Sequence, residues 1–331
     1  MRINTKSKSI ALVGILVVGI TAALHAQAPT TRPARTRTPK EESKFLRFVP
    51  DPRSGGGELQ TSVVSYRNAE GVTVDLVGAV HIADATYFEE LNSRFDDYDA
   101  VLFEMVRPRA AAAADDGAAQ TKKPGATTAP TVRRPRSLGW IGTLQRFMRD
   151  KLELEYQLEA IDYDKPNFVH ADLDAETFLE MQEQRGESFM KMLLQVMLRE
   201  MGKGPAAAGA NQPNVFELMA ALQAPDRARQ LKLVLAKQFA QVDEMLDALE
   251  GPNGSVILTE RNRAALTVLK NRIKLGDDKL AIFYGAGHFK GMEKILSEEM
   301  GFKQVGEPEW ITAWDLTRPA PTSGPSTAPA R

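Results

Sequence analysis

No cysteine occurs in the 331 residues, which excludes disulfides and thiolate metal sites; a metal would need imidazole and carboxylate ligands. Histidine is scarce as well, at His25, His81, His170 and His288. The apolar run Ile10–Leu24 has 15 residues, short of the about 20 that a membrane span needs. Arg2, Lys6 and Lys8 precede that run and small residues follow it at Ala26–Ala28. Residues 1–28 therefore read as a secretory signal, with export to the periplasm or beyond. An uncleaved segment tethering the protein to a membrane is the alternative. A large excess of charge of one sign is missing too. Without residues 1–28 the chain keeps 39 basic against 43 acidic residues, because Arg2, Lys6 and Lys8 leave and no acidic residue does. That balance argues against a nucleic-acid partner. No G-x-S-x-G elbow, H-E-x-x-H, Walker loop or G-x-G-x-x-G follows a strand.

The residues that are present fall into blocks. Residues 29–58 read as a flexible stalk, opening with "PTTRPARTRTPKEES" (29–43). A domain spans residues 59–317, interrupted by low-complexity stretches at 110–136 and 202–214, and residues 318–331 form a loose tail. "LQTSVVSYRN" and "GVTVDLVGAV" predict a hairpin through "NAEG". A helix with Phe88, Leu91 and Phe95 on one face comes next, then a strand "AVLFEM". Residues 138–250 read as almost wholly helical around one short strand, "NFVHA", and form a cap. Helix "TERNRAALTVLKNRIKL", with Thr259 as N-cap, strand "KLAIFY", a second turn, a helix and strand "EWITAWDL" complete the domain. The fold class expected is α/β: a mixed sheet with parallel central strands, two strand–G-x-x-H–helix units and a helical insert between them.

Those two units are "LVGAVHIAD", ending in His81, and "IFYGAGHFKG", ending in His288. Gly78 and Gly285 permit a sharp turn through positive φ. Three residues later each imidazole sits at the carboxyl rim of the sheet, where open α/β sheets bind ligands. The competing reading is a turn histidine bonded to backbone, and its repetition in so histidine-poor a chain weighs against it. Glu104 ends "AVLFE" on the same rim, and a carboxylate there is costly unless paired, protonated or metal-bound. A salt bridge to Arg107 or Arg261 would satisfy it. Asp172 follows "NFVHA" and is either a site residue or the cap of the next helix. His170 reads as a supporting or packed histidine. In Glu260-Arg261-Asn262, Arg261 suits pairing with a carboxylate. The helical middle is rich in methionine (Met190, Met192, Met197 and Met201 among others), which fills cores and less often lines a peptide groove.

"VGAVHIAD", "VLFEM", "ERN" and "GAGHFKGM" together resemble the TraB/GumN/Tiki superfamily over roughly Val63–Leu316. Tiki proteins are membrane-anchored metalloproteases, erythromycin esterases share a related core, and TraB-type proteins shut down peptide pheromones. The resemblance implies that His81 and His288 are the core histidines, Glu104 the essential carboxylate and Arg261 the helix-start arginine. It places Asp172 as the acidic residue after the middle strand. The residues permit hydrolysis in two ways. His81 and His288, with Glu104 or Asp172, can hold a divalent ion such as Mn²⁺ or Co²⁺ that activates water. Glu104 is then a ligand or the base. Arg261 and Asn262 would bind substrate or steady an oxyanion. Without metal, a histidine–glutamate pair can activate water directly. A non-catalytic module that binds peptides or signals is the third expectation. The expected partner is a peptide or small-molecule substrate.

Overall fold

The computed structural model describes residues 43–109, 152, 154–186, 215–239 and 254–317. The expected signal segment, both low-complexity stretches, the tail and the helix around Met190–Met201 lie outside these residues. Among the described residues no helix is long and apolar enough to cross a membrane.

The chain is α/β, built on a seven-stranded mixed sheet. Strands β1 (Leu46–Asp51), β2 (Gly56–Arg67) and β3 (Thr73–Ala79) open the chain in an antiparallel run. The short β4 (Ile82–Ala83) and helix α1 (Ala85–Arg94) come next, then β5 (Ala100–Phe103). After β6 (Glu155–Tyr156) and α2 (Gln157–Ala160) come β7 (Phe168–His170) and α3 (Ala175–Gln184). Two further helices are α4 (Val215–Gln223) and α5 (Arg227–Phe239). Helix α6 (Arg261–Lys274), β8 (Lys279–Gly285), α7 (Phe289–Glu298) and β9 (Lys303–Asp315) end the domain.

Strands β3, β8, β5 and β7 are adjacent and parallel in that order. Their apolar runs explain the position: Leu280 to Tyr284 of β8 are each at most 1% exposed, so both faces of the strand are covered. Phe95, just after α1, packs on Phe283 at 4.8 Å between ring centroids. Each such side chain contributes about 1.5–3 kcal/mol by leaving water. The β2–β3 hairpin forms as expected. Asn68 Oδ1 accepts from the N–H groups of Glu70 and Val72, and Gly71 supplies the positive φ of 94°.

Three expectations change. The stalk is shorter, because residues 46–58 form β1 and enter β2, where Phe48 packs on the core. The last strand begins at Lys303, earlier than the apolar pattern suggests. Its pairing with β2 slips near Val63, where Gly306 takes a φ of 74°, so the exposed half lacks a clean alternation. Thr259 does not cap α6. A π-helical turn at Val256–Glu260 precedes that helix, and Ser255 accepts from Leu258 N–H. The described end of the helical middle, α5, lies against β1 and β2. Arg229 donates to Leu316 O at 3.1 Å and to Ser54 O at 3.0 Å, and Phe239 packs on Trp314.

Candidate functional site at the carboxyl rim

Each parallel strand delivers one group to the same edge. His81 lies two residues beyond β3, His288 three beyond β8, Glu104 directly after β5 and Asp172 two beyond β7. The strands are neighbours, so the groups line up in that order. Arg261 reaches in from the first turn of α6.

Neither site glycine needs a positive φ, since neither Gly78 nor Gly285 is among the positive-φ glycines. Close approach is the physical reason instead. A Cβ on Gly285 would stand 3.3 Å from Glu104 Oε2, and one on Gly78 would stand 3.1 Å from Thr61 Cβ. Gly285 N–H donates to Glu104 Oε2 at 2.7 Å.

Arg261 bridges the two carboxylates. Its Nε donates to Asp172 Oδ1 at 2.8 Å, and Nη2 donates to Asp172 Oδ2 at 2.5 Å and to Glu104 Oε1 at 2.7 Å. The Asp172 side chain is fully buried. Burial pushes the Glu104 carboxyl up, but Arg261, His288, His81 and the Gly285 N–H together hold it well below the usual carboxylate range. Burial works against the charge on Arg261, and Glu104 and Asp172 more than restore it. Of the two expected partners for Glu104, Arg261 is the one that pairs. Asp172 does not cap α3; that is done by Asp174, which accepts from Thr177 N–H.

His288 is 7% exposed. Its Nδ1 lies 2.6 Å from Asn262 Oδ1, while Asn262 Nδ2 donates to His288 O at 3.1 Å. Because that carbonyl only accepts, the amide must present Oδ1 to the ring, and the ring must donate from Nδ1. The lone pair is then on Nε2, which faces Glu104 Oε1 at 3.7 Å. Burial is the main influence that pulls the imidazole down, to about 4, so at neutral pH this contact is no ion pair. Two acceptors therefore face each other without a proton between them. Asn262, expected to touch substrate, is 3% exposed and holds His288 with both ends of its amide. Arg261, expected to meet a substrate carboxylate, is occupied by two of the protein's own.

His81 shares the rim but is exposed. Its Nδ1 lies 3.1 Å from Gln157 Oε1, and Gln157 N–H donates to its carbonyl at 3.0 Å. Gln157 Nε2 donates in turn to the Tyr163 hydroxyl at 2.9 Å. Pairing of β4 with β6 brings Gln157 there. His170 acts as the supporting residue expected, its Nε2 lying 2.7 Å from Met105 O.

The metal expected from these residues can be set against this geometry. Both oxygens of Asp172 and both of Glu104 already accept hydrogen bonds, and the Arg261 cation lies within 2.7 Å of each carboxylate. Among the described residues, no group of three or more His, Asp or Glu side chains is placed to hold a metal ion. As arranged, the residues do not fit a divalent cation. Gln157, Tyr163 and Tyr284 are members of the rim that sequence reasoning passed over. Tyr284, whose hydroxyl donates to Ala171 O, ends an apolar strand, and Gln157 lies in a polar segment without any motif. Comparison with protein-family models and with curated proteins finds no match to this chain.

Proposed function

We propose that the protein is an exported hydrolase of acyl bonds, peptide or ester, resembling the TraB/GumN/Tiki and erythromycin esterase core. One observation carries this reading: the unprotonated Nε2 of His288 faces the Glu104 carboxylate across 3.7 Å. A water beside this pair, off the line that joins the two atoms, can donate one hydrogen to each acceptor and keep a lone pair free for attack. As the water adds to a carbonyl, His288 takes its proton, and the Glu104 charge stabilises the imidazolium that forms. The same proton then passes to the leaving amine or alcohol. Arg261 keeps Glu104 ionised and fixed in direction; Asn262 sets the tautomer of His288. Neither needs to touch substrate.

The test is hydrolysis of peptide and ester libraries by purified protein in excess chelator. Glu104→Gln and His288→Gln should each lower kcat by about 10²-fold or more. The acid limb of kcat/KM should fall near pH 4, where His288 titrates, rather than near its ordinary 6.5. Activity lost to chelator and restored by Mn²⁺ or Co²⁺ would overturn the metal-free step in favour of a metal-dependent peptidase. Peptide binding without turnover would favour the non-catalytic module.

A further inference from the structure

Gly291 follows His288 by three residues and lies on the same side of α7, one turn along. A Cβ there would stand 2.7 Å from Asn262 Nδ2, closer than real Cβ atoms come. Among the described residues, that nitrogen is the one atom it would meet within 4 Å outside the backbone of its own helix. The position therefore reaches the site through a single group, the Asn262 carboxamide. That amide holds the His288 ring through Oδ1 at 2.6 Å and the His288 carbonyl through Nδ2 at 3.1 Å. The ring in turn presents Nε2 to Glu104 Oε1 at 3.7 Å.

A side chain at 291 leaves three ways to relieve the contact: α7 moves, α6 moves, or the amide moves. Helix α7 is pinned on its far side. Residues two apart on a helix point about 200° apart, so Phe289 and Glu293 face away from Gly291. Phe289 is buried and packs on Phe45, with ring centroids 5.4 Å apart. Glu293 accepts from the Tyr66 hydroxyl at 3.0 Å and from Lys44. Helix α6 is held by the buried Ala265, Leu266 and Leu269, and by the pairing of Arg261 with Glu104 and Asp172. The amide yields most easily, because it turns about two single bonds while each helix is packed along its length. Once it turns, it lets go of the ring.

We infer that Gly291 is a positioning residue for the His288–Glu104 pair: its lack of a side chain leaves room for the Asn262 amide, which fixes the ring that faces Glu104. The catalytic consequence rests on the hydrolase reading above; the control of the ring does not.

The experiment reads the His288 tautomer at one neutral pH by nitrogen-15 in the imidazoles of the full chain, assigned among four histidines by a His288→Gln variant. In the wild type the proton should sit on Nδ1, with Nε2 bare. Gly291→Ala and Asn262→Ala should each show the mixed tautomers of a released ring. An unchanged His288 signal in either variant overturns the inference. Gly291→Ala placed on Asn262→Ala should add nothing further, because the Cβ enters space that the amide has left. An equal added change in that background overturns it as well. If Gly291→Ala alone does not fold, Asn262→Ala should restore folding, and a double variant that stays unfolded overturns the inference. With a hydrolysed substrate in hand, Gly291→Ala should lower kcat by about 10²-fold with KM little changed, the scale of a catalytic group misplaced by about 1 Å; an unchanged kcat overturns the catalytic consequence. If the wild type hydrolyses nothing, the hydrolase reading falls, and the tautomer measurement still decides the role of Gly291.

Discussion

At Gly78–His81 the chain leaves β3, passes through an exposed histidine and enters the two-residue β4. At Gly285–His288 it leaves β8, winds at once into a helical turn and buries its histidine. The motifs share letters and spacing, but they sit one residue out of step on the paired strands, with Ala79 opposite Gly285. The element after each turn makes the difference. Helix α7 starts at Phe289 and packs close to α6, so His288 is enclosed and held by Asn262. A Cβ on Gly291 would stand 2.7 Å from Asn262 Nδ2, which shows how tightly that cradle is built. His81 instead meets Gln157, 76 residues later in the chain, through a small strand pair at the open edge. One histidine is therefore enclosed and fixed in a single tautomer, and the other stands exposed at the edge.

The comparison breaks most sharply at Arg261, which serves the buried turn alone. Arg261→Ala leaves Asp172 and Glu104 facing each other without a cation. It should cost about 3–5 kcal/mol of folding stability, the usual penalty for breaking a buried ion pair. Denaturant unfolding at neutral pH measures it, and a loss under about 1 kcal/mol would mean that the cluster is open to water.

A second test separates the two histidines by acid. His288 has its pKa lowered from 6.5 to about 4, chiefly by burial. Between those values the unfolded chain binds the proton and the folded chain resists it. The stability is thus fully present above pH 6.5 and is lost as pH falls towards 4, on the order of 3 kcal/mol in all. The lowered pKa of Glu104 adds a further loss as pH falls below its ordinary 4.5. Urea unfolding at pH 7, 6 and 5 should show the His288 slope in the wild type and its disappearance in His288→Gln. A slope that persists in that variant would place the cause elsewhere.

The smallest effect is expected at the open turn. His81→Ala should change stability by no more than about 0.5 kcal/mol, as for other exposed side chains, while affecting any activity. Thermal unfolding beside an activity assay checks this; a large destabilisation would mean that the His81–Gln157 contact anchors the β4–β6 pair.

Local pattern carried much of this architecture. The apolar runs of β3, β5 and β8 are long and uninterrupted enough to specify buried parallel strands, and the turn chemistry of Asn68 and Gly71 specified the hairpin. The candidate site residues were legible where they follow such a strand within three residues, as His81, Glu104 and His288 do. β1 was missed because "LRFVPD" is short and lies close after a Pro- and Thr-rich stretch; its strand pairing comes from β2. The partners of the site residues could not be read from the chain. Arg261 and Asp172 are 89 residues apart and meet through two different elements, so nothing local distinguishes an ion pair from a ligand or a cap. The sequence by itself determined which strand-end groups reach the rim, because strand ends are a local property. Tertiary structure alone decided their chemical state, because burial, tautomer and charge depend on what packs against each group from elsewhere in the chain.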